Sequence, residues 1–460
     1  MKGRKLGLWS GMGMVIANMV GAGVFVSSGA MVDSLNPGQI LAAWIVGTLI
    51  ALAGARAYSG IVRLVPRSGG EYRFLSTLVH PVLGYLAGWA SLLIGFSAPI
   101  AISATAAGAF AGTLYPGLSA TLVATLMILA LTTVHAVGIR SSVAVQNTLV
   151  AAKILLVAGF IVVGLVGGNN TWPEWTLFAH QADVAGGNIG EDAAGAGGFP
   201  IHAFMRGLFY IAFTFSGWNA AIYAASEFKN PRRDVPRAMM LGCLVVGILY
   251  LCINWVFVAN IDPLEQSRIA AAYYEESARI TLGHRIMENI LGEAGAACMS
   301  VLAIIAFISS ASAMTFLGPR VYATMARDGF LPAGLRSEEG KPPVSAVLLQ
   351  GAITLFLVFA YNLTDVLANV GAILTLFSAL TVFSLFWICF KRKEYQRPAL
   401  SVLLAAAVYL MTSVIMLYFG LSGSLTLYLW VGACIPAALG GYFVARRKFS
   451  SGNEFPQHAK

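Results

Sequence analysis

Long runs of apolar residues separated by short polar connections make up most of the chain. Each run approaches or exceeds the length of about 20 residues that a helix needs to cross a bilayer. The pattern predicts twelve membrane-spanning helices, here called spans one to twelve, at residues 6–31, 37–62, 81–112, 118–137, 144–167, 203–228, 236–260, 285–318, 344–361, 365–390, 398–420 and 424–445. The longest connection, residues 168–202, has too few apolar residues for a core, so we expect a mobile surface loop.

Composition and charge agree with a membrane protein. Of the 460 residues, 58% are hydrophobic and only 11% are charged, against about 25% charged in soluble domains. The net charge of +9 is concentrated in alternate connections between spans. The first and last of these basic clusters are Lys2, Arg4 and Lys5, and Arg446, Arg447 and Lys448. This placement follows the positive-inside rule, so we predict an inner (plasma) membrane protein with both termini cytoplasmic and no nucleic-acid partner.

Span one contains glycines where a helix would not favour them. Gly21-Ala22-Gly23 lies in the middle of the span, and glycine destabilises a helix interior. Backbone released from helical hydrogen bonds is tolerated at that depth only if it is buried in protein or lines a wet cavity. Such interruptions mark the binding sites of secondary transporters, although glycines also serve close helix packing.

Span six has a second interruption, at Ser216-Gly217-Trp218-Asn219. Spans one and six each begin a set of five spans, and the two sets start on opposite sides of the membrane. This is the arrangement of transporters built from inverted repeats. Two interruptions at matching positions therefore favour a binding site over packing alone.

The broken-helix pattern suits a zwitterionic amino acid. The N-terminus of a half-helix exposes N–H groups that bind a carboxylate, and the C-terminus of the other half exposes carbonyls that bind an ammonium. We expect the N–H groups of Ala22, Gly23 and Val24 to face the carboxylate. Carbonyls near Met19, Phe213 and Ser216 are expected to face the amine. The predicted substrate-binding residues are Asn18, Met19, Val20, Gly21, Ala22, Gly23, Val24, Phe213, Phe215, Ser216, Gly217, Trp218, Asn219 and Ser312.

One basic residue is predicted to lie deep in the membrane. Lys153 is about nine residues from the cytoplasmic start of span five, which is roughly 13 Å at the helical rise. Reaching the interface by snorkelling would therefore strain the side chain. A charged residue at this depth is a functional candidate.

Several motifs resemble the amino acid–polyamine–organocation (APC) superfamily of permeases. The Gly-Ser-Gly-Ile-Phe motif of that family stands here as Gly-Ala-Gly-Val-Phe at residues 21–25. Further family motifs are matched by residues 66–72, 88–89, 227–238 and 320–332. The resemblance covers about residues 6–390. It implies an all-α integral membrane protein with a LeuT-type 5+5 inverted repeat and two accessory helices. The implied division is a transport core at 1–397, with repeats at about 6–167 and 203–390, accessory helices at 398–445 and a cytoplasmic tail at 446–460.

The resemblance also implies roles for single residues. In sodium-independent relatives, a lysine in span five takes the place of a sodium ion and links span one to span eight. This implies a coupling role for Lys153, with Ser309, Ser310 and Ser312 as its partners. Asn219 stands where acid-resistance antiporters carry a pH-responsive Glu, which disfavours an arginine or agmatine exchanger. Trp218 after a glycine resembles the L-type neutral amino acid branch.

The sequence contains no motif of an enzyme or an ATP-driven pump. It lacks a phosphate-binding Gly-rich loop with Lys-Ser/Thr, paired acid–base residues in the spans and metal-ligand spacing, so no catalytic role, metal or cofactor is expected. We expect no carboxylate at either interruption to receive a cationic side chain, and we expect Tyr58 and Tyr223 to be packing or interface residues and not site residues. The prediction is a sodium-independent transporter of neutral L-amino acids, by proton symport or facilitated uptake. An obligatory exchanger and a cationic amino acid or polyamine permease remain alternatives.

Overall fold

A computed structural model describes residues 6–32, 34–137, 139–171, 199–261, 282–337, 343–360, 363–391, 394–421 and 439–443. This part of the chain is helical and contains no strand beyond an isolated bridge between Leu6 and Phe228. Residues 172–198 of the predicted loop, most of span twelve and the predicted tail lie outside the described residues.

The first five spans are formed by seven α-helices, and an eighth lies between two of the spans. Span one is divided between α1 and α2, and α4 lies between spans two and three. The α5 and α6 helices are joined into one span by a π-helical stretch, Ser91–Ser97. The bounds are α1 Leu8–Met19, α2 Ala22–Val26, α3 Pro37–Leu64, α4 Gly70–Leu78, α5 Pro81–Ala90, α6 Ala98–Leu114, α7 Ala120–Val137 and α8 Ile139–Gly167.

The remaining spans follow after residue 199. Span six consists of α9 and a 3₁₀ helix, Ala220–Glu227. We call this 3₁₀ helix the inner half of span six, after the orientation that the positive-inside rule predicts. The other bounds are α9 Ile201–Thr214, α10 Pro231–Ala259, α11 Leu282–Arg327, α12 Val344–Ala360, α13 Leu363–Lys391 and α14 Leu400–Leu421. They correspond to spans six to eleven in that order.

Nine helical segments in the described residues are long and apolar enough to cross a membrane. The predicted spans six and nine are not among them. Span six is divided into a helix of 14 residues and a separate 3₁₀ helix, and α12 has 17 residues. Large apolar side chains are exposed on the outer faces of other helices, as lipid contact requires; examples are Leu126, Leu155, Phe356 and Met411.

Two consecutive glycines determine where α4 begins. Gly69 and Gly70 have positive φ angles of 122° and 58°, which glycine adopts without the steric cost that other residues incur. A Cβ added to Gly70 would overlap the ring of Tyr223. The turn thus brings the first residues of α4, including Glu71, directly against the inner half of span six.

Candidate substrate site

The first interruption separates α1 from α2. The helix ends at Met19, and both Val20 (φ −73°, ψ 95°) and Gly21 (φ −144°, ψ −149°) leave the helical conformation before α2 begins at Ala22. A Cβ added to Gly21 would lie 2.8 Å from the Cβ of Ser310 in span eight. Span eight therefore packs directly on this break.

The second interruption separates α9 from the inner half of span six. Residues 215–219 form turns, and Gly217 has a φ of 104°, a conformation that favours glycine. A Cβ added to Gly217 would overlap the side-chain amide of Asn18. The second break is thus in contact with the last turn of α1.

The two breaks lie side by side. A Cβ added to Gly23 would lie 2.7 Å from the Cα of Thr214, the last residue of α9. Beside this contact, the hydroxyl oxygens of Ser27 and Thr214 are 2.7 Å apart. The sequence analysis favoured a binding site over packing alone at these glycines. In the structure, the nearest atoms to an added side chain belong to Thr214, so helix packing also requires a glycine there.

Lys153 is buried and binds the end of α1. Its ammonium donates hydrogen bonds of 2.9 Å to the carbonyl oxygen of Ala17 and 2.5 Å to that of Val20. The last carbonyls of a helix lack intrahelical partners and carry partial negative charge. A cation at this point satisfies them and fixes the position of the first break.

The three serines of span eight have different surroundings. Ser310 donates a hydrogen bond of 3.3 Å to the carbonyl oxygen of Asn18, so it reaches the same helix end as Lys153. Ser312 is hydrogen-bonded to His135, 3.0 Å away. The hydroxyl of Ser309 is buried and has no hydrogen-bond partner among the described residues. Lys153 thus forms hydrogen bonds with span one. Span eight contacts span one through Ser310 and not through the lysine.

Sequence reasoning missed Tyr250 of α10. Its hydroxyl lies 2.6 Å from the carbonyl oxygen of Met19 and 3.2 Å from that of Thr214. These are the last residues of α1 and α9, so one buried donor joins the ends of both interrupted helices. Nothing in the sequence distinguishes this tyrosine from other aromatic residues of the spans.

A cavity lies against the second break. Six of the predicted substrate-binding residues line it: Asn18, Phe215, Ser216, Gly217, Trp218 and Asn219. The π-helical stretch of span three also contributes to the wall, with Ser91 and Phe96; irregular turns of this kind are frequent at functional sites. The other predicted residues lie outside this lining: Met19, Val20, Gly21, Ala22, Gly23, Val24, Phe213 and Ser312.

Two features of the lining indicate how a ligand could be held. The side-chain oxygen of Asn18 is buried and has no hydrogen-bond partner within the described parts of the chain. Buried acceptors are normally satisfied, so this oxygen is available to a donor such as an ammonium. The ring of Trp218 packs edge-on against Tyr58, with centroids 4.6 Å apart, and forms an apolar wall.

The structure corrects the expectation that no carboxylate lies at either break. The Glu71 carboxylate lines the cavity and accepts a hydrogen bond of 2.6 Å from the side-chain amide of Asn219. Tyr58 and Tyr223 donate to it as well, at 3.0 and 2.9 Å, so neither tyrosine serves packing alone. Burial raises the pKa of Glu71. The Gly-Gly pair before Glu71 is visible in the sequence, but the sequence does not indicate that this turn places the carboxylate against span six.

Among the described residues, no group of three or more His, Cys, Asp or Glu side chains is arranged to hold a metal ion. The site therefore consists of helix ends, hydroxyls, amides, one ammonium and one buried carboxylate.

Comparison with known proteins identifies the family. A family model described as amino acid permease matches residues 6–439. The mouse (Mus musculus) b(0,+)-type amino acid transporter 1 is 26% identical over 407 residues, which cover 86% of this chain and 78% of that protein. The human (Homo sapiens) large neutral amino acids transporter small subunit 2 is 27% identical over 430 residues, covering 91% and 76%.

Proposed function

The chain belongs to the amino acid permease family of the APC superfamily, and from this premise we propose that it is a sodium-independent secondary transporter of neutral L-amino acids. Membership of the family means that the protein is a multi-pass membrane transporter of amino acids and not an enzyme. The choice of neutral substrates, the independence from sodium and the mode of coupling are the proposal.

The observation that carries the proposal is the contact between the two breaks beside a cavity. The two interrupted helices are in contact at their breaks, where Gly23 packs against Thr214 and Gly217 packs against Asn18. The side-chain oxygen of Asn18, which lines the cavity and has no hydrogen-bond partner among the described residues, is available to the ammonium of an amino acid. Binding of the carboxylate by the N–H groups of Ala22, Gly23 and Val24 stays a prediction, because these residues lie outside the cavity lining. Alternating access would expose this site to each side of the membrane in turn.

Helix packing supports a LeuT-type 5+5 inverted repeat. In such a fold, span two corresponds to span seven, span three to span eight and span four to span nine. In this protein α3 packs against α10, α6 against α11 and α7 against α12, as expected for repeats related by a pseudo-two-fold axis. We propose repeats at about 6–167 and 203–390, two accessory helices, an inner-membrane location and cytoplasmic termini.

The cavity lining supports neutral substrates. Its walls include Phe96, Phe215 and Trp218, which suit apolar side chains. The one carboxylate in the lining, Glu71, already accepts three hydrogen bonds, so it is not free to pair with a cationic side chain. The same carboxylate is the observation that favours a second candidate function, a cationic amino acid permease. In that case a cationic substrate would displace the donors that now bind Glu71.

Lys153 supports sodium independence. Its ammonium occupies the place beside the end of α1 where a cation would neutralise the exposed carbonyls of Ala17 and Val20. Two modes of transport remain compatible with it. Proton release from a group in the core would allow proton symport, whereas permanently charged groups would favour exchange. We propose proton symport or facilitated uptake, with amino acid and protons as the transported partners and the lipid bilayer as the environment.

Thermal unfolding of the purified protein in detergent with single ligands tests the substrate class. Ligand binding to the folded state at 100 times its dissociation constant stabilises a protein by about 2.7 kcal/mol. We expect alanine, serine or leucine to raise the unfolding temperature, and we expect arginine and putrescine to leave it unchanged. Stabilisation by arginine or putrescine alone would contradict the proposal and support the second candidate.

A further inference from the structure

Glu71 connects three segments at one end of the cavity. It lies in α4, outside the membrane spans, and its side chain is buried. Tyr58 reaches it from α3, Asn219 from the second break and Tyr223 from the inner half of span six. The carboxylate therefore ties the inner half of span six to α3 and α4.

The carboxylate is held by neutral donors. The basic residues nearby are engaged elsewhere: Arg73 pairs with Asp328 at 2.9 Å and Arg320 with Glu227 at 2.7 Å. None of the ion pairs in the described residues includes Glu71. The titratable groups that face it are Tyr58 and Tyr223 in direct contact, with Tyr409 of α14 and Tyr322 of α11 behind them.

Opposing effects make this carboxyl suited to gain and lose a proton. Burial without a cation disfavours the charged form, whereas each hydrogen bond to the charged acceptor stabilises that form. The burial effect is the larger of the two, since the pKa of Glu71 is raised. Glu71 also lines the cavity, together with Ser91 and Trp218. A proton would therefore reach the carboxyl from the same cavity that the proposed substrate occupies.

We propose that Glu71 is a proton-binding site of the transport cycle and that its protonation releases the inner half of span six. This inference rests on the proposed function of amino acid transport. It assigns to one carboxyl both the binding of the coupled proton and the control of the inner end of the cavity.

The release follows from the hydrogen-bonding capacity of a carboxyl group. The ionised group accepts from Asn219, Tyr58 and Tyr223 at once. When a proton binds the Oε2 atom, the negative charge is lost, so the hydrogen bond between Oε2 and the Tyr223 hydroxyl is no longer charge-assisted and loses about half of its strength. The contact between α4 and the inner half of span six is thereby weakened.

The inner half of span six is suited to such a movement. It is a 3₁₀ helix, whose hydrogen-bond geometry is poorer than that of an α-helix, and Ala224 within it departs from helical geometry with φ −112° and ψ 18°. A proton that enters with the substrate from an acidic outer side would loosen this segment. Loss of the proton to a more neutral cytoplasm would restore the three hydrogen bonds and reset the transporter.

Two variants and a control separate the proton site from a structural carboxylate. Glu71→Gln keeps the size of the side chain but cannot titrate. Tyr223→Phe removes one donor and leaves the carboxyl in place. Glu227→Gln is the matched control, because Glu227 is a partly exposed carboxylate paired with Arg320 at the end of the same segment.

The first readout is the dependence of neutral amino acid uptake into proteoliposomes on external pH. A single coupled proton limits the change to about tenfold per pH unit. We expect wild type and Glu227→Gln to lose uptake as the pH rises. Glu71→Gln should lose this dependence, to less than about twofold over the same range, while it still exchanges neutral amino acid across the membrane. Tyr223→Phe should move the midpoint to higher pH, because removing a donor from the carboxylate raises its pKa.

The second readout does not require transport. Infrared difference spectra of wild type between two pH values should contain the carbonyl band of a protonated carboxyl, and this band should be missing in Glu71→Gln. If Glu71→Gln does not fold, the midpoint shift of Tyr223→Phe and the wild-type band decide the question. The inference would be overturned if the pH dependence of uptake were unchanged in both Glu71→Gln and Tyr223→Phe. It would also be overturned if Glu71→Gln kept the wild-type pH dependence but lost binding of the amino acids lysine or arginine, because Glu71 would then be a substrate-binding residue. Absence of amino acid uptake in every variant, with the carboxyl band present, would instead refute the proposed function.

Discussion

The ammonium of Lys153 donates a hydrogen bond of 2.9 Å to the carbonyl oxygen of Ala17, three residues before α1 is interrupted. The cation lies in the protein interior, where charge is costly unless it is paired and hydrogen-bonded. The carbonyls at the end of a helix provide the partial negative charge that compensates it. The lysine and the helix end thus stabilise each other, and together they fix the geometry of the first break.

Replacing Lys153 with alanine should impair transport. The change leaves the carbonyls of Ala17 and Val20 without their donor, and an unsatisfied buried polar group costs about 1–3 kcal/mol. We expect uptake to fall at least about tenfold, the equivalent of 1.4 kcal/mol, with a lower unfolding temperature. Lys229→Met, which removes an exposed cation, should behave like wild type. Unimpaired uptake by the alanine variant would show that Lys153 has no coupling role.

Adding a methyl group at Gly23 should separate the two breaks. The new Cβ would lie 2.7 Å from the Cα of Thr214, and backbone atoms cannot move aside as a side chain can. Overpacking of this kind costs about 1–3 kcal/mol. Gly23→Ala should therefore reduce the thermal stabilisation that the substrate causes. Gly23→Val should abolish this stabilisation while the protein still inserts into the membrane.

Gly13 is the matched control on α1, because a Cβ added there meets nothing within 4 Å. Gly13→Ala should retain binding and gain about 0.4–1 kcal/mol of stability through the unfolded chain. Wild-type affinity in Gly23→Val would remove Gly23 from the site.

Removing the hydroxyl of Tyr250 should weaken both breaks at once. Tyr250→Phe keeps the ring but deprives the carbonyls of Met19 and Thr214 of a common donor. We expect a loss of about 1–3 kcal/mol in the free energy of unfolding and weaker binding of neutral amino acids, measured by thermal shift. Tyr418→Phe, at an exposed tyrosine of α14, should change neither quantity. Equal behaviour of the two variants would mean that the hydroxyl does not support the site.

The turn before Glu71 should require glycine for two separable reasons. Gly70 has a positive φ, and a Cβ there would also overlap Tyr223. Gly117 has a φ of 93° but open space around it, so Gly117→Ala measures the conformational cost alone, about 1–2 kcal/mol. Gly70→Ala should cost more than Gly117→Ala in thermal unfolding and should reduce uptake, because it displaces Tyr223. An equal cost in both variants would show that the contact with Tyr223 is unimportant.

Much of the architecture could be predicted from the order of apolar runs. Membership of the amino acid permease family, predicted from motifs at residues 21–25 and 320–332, is confirmed. Gly21 and Gly217 mark the interruptions because glycine is disfavoured inside a helix, and this local signal is visible in the sequence. Span six was nevertheless counted as one apolar run, since periodicity does not report that its second half is a 3₁₀ helix.

Contacts between distant segments could not be predicted in this way. Glu71 and Asn219 are 148 residues apart in sequence, and no local pattern indicates that a carboxylate from α4 reaches the second break. Tyr250 resembles any aromatic residue of a span until its hydroxyl is found between two helix ends. The predicted partners of Lys153 in span eight came from a family resemblance, and its hydrogen bonds go to α1 instead.

Net uptake of a radiolabelled neutral amino acid into sodium-free proteoliposomes is the most direct test of the proposed function. Vesicles containing the protein, empty of internal amino acid and given an inward proton gradient, should take up alanine or leucine faster than protein-free vesicles. Adding Na⁺ should not increase the rate, because Lys153 already neutralises the end of α1. A strict requirement for Na⁺, or uptake only into vesicles preloaded with amino acid, would contradict the account.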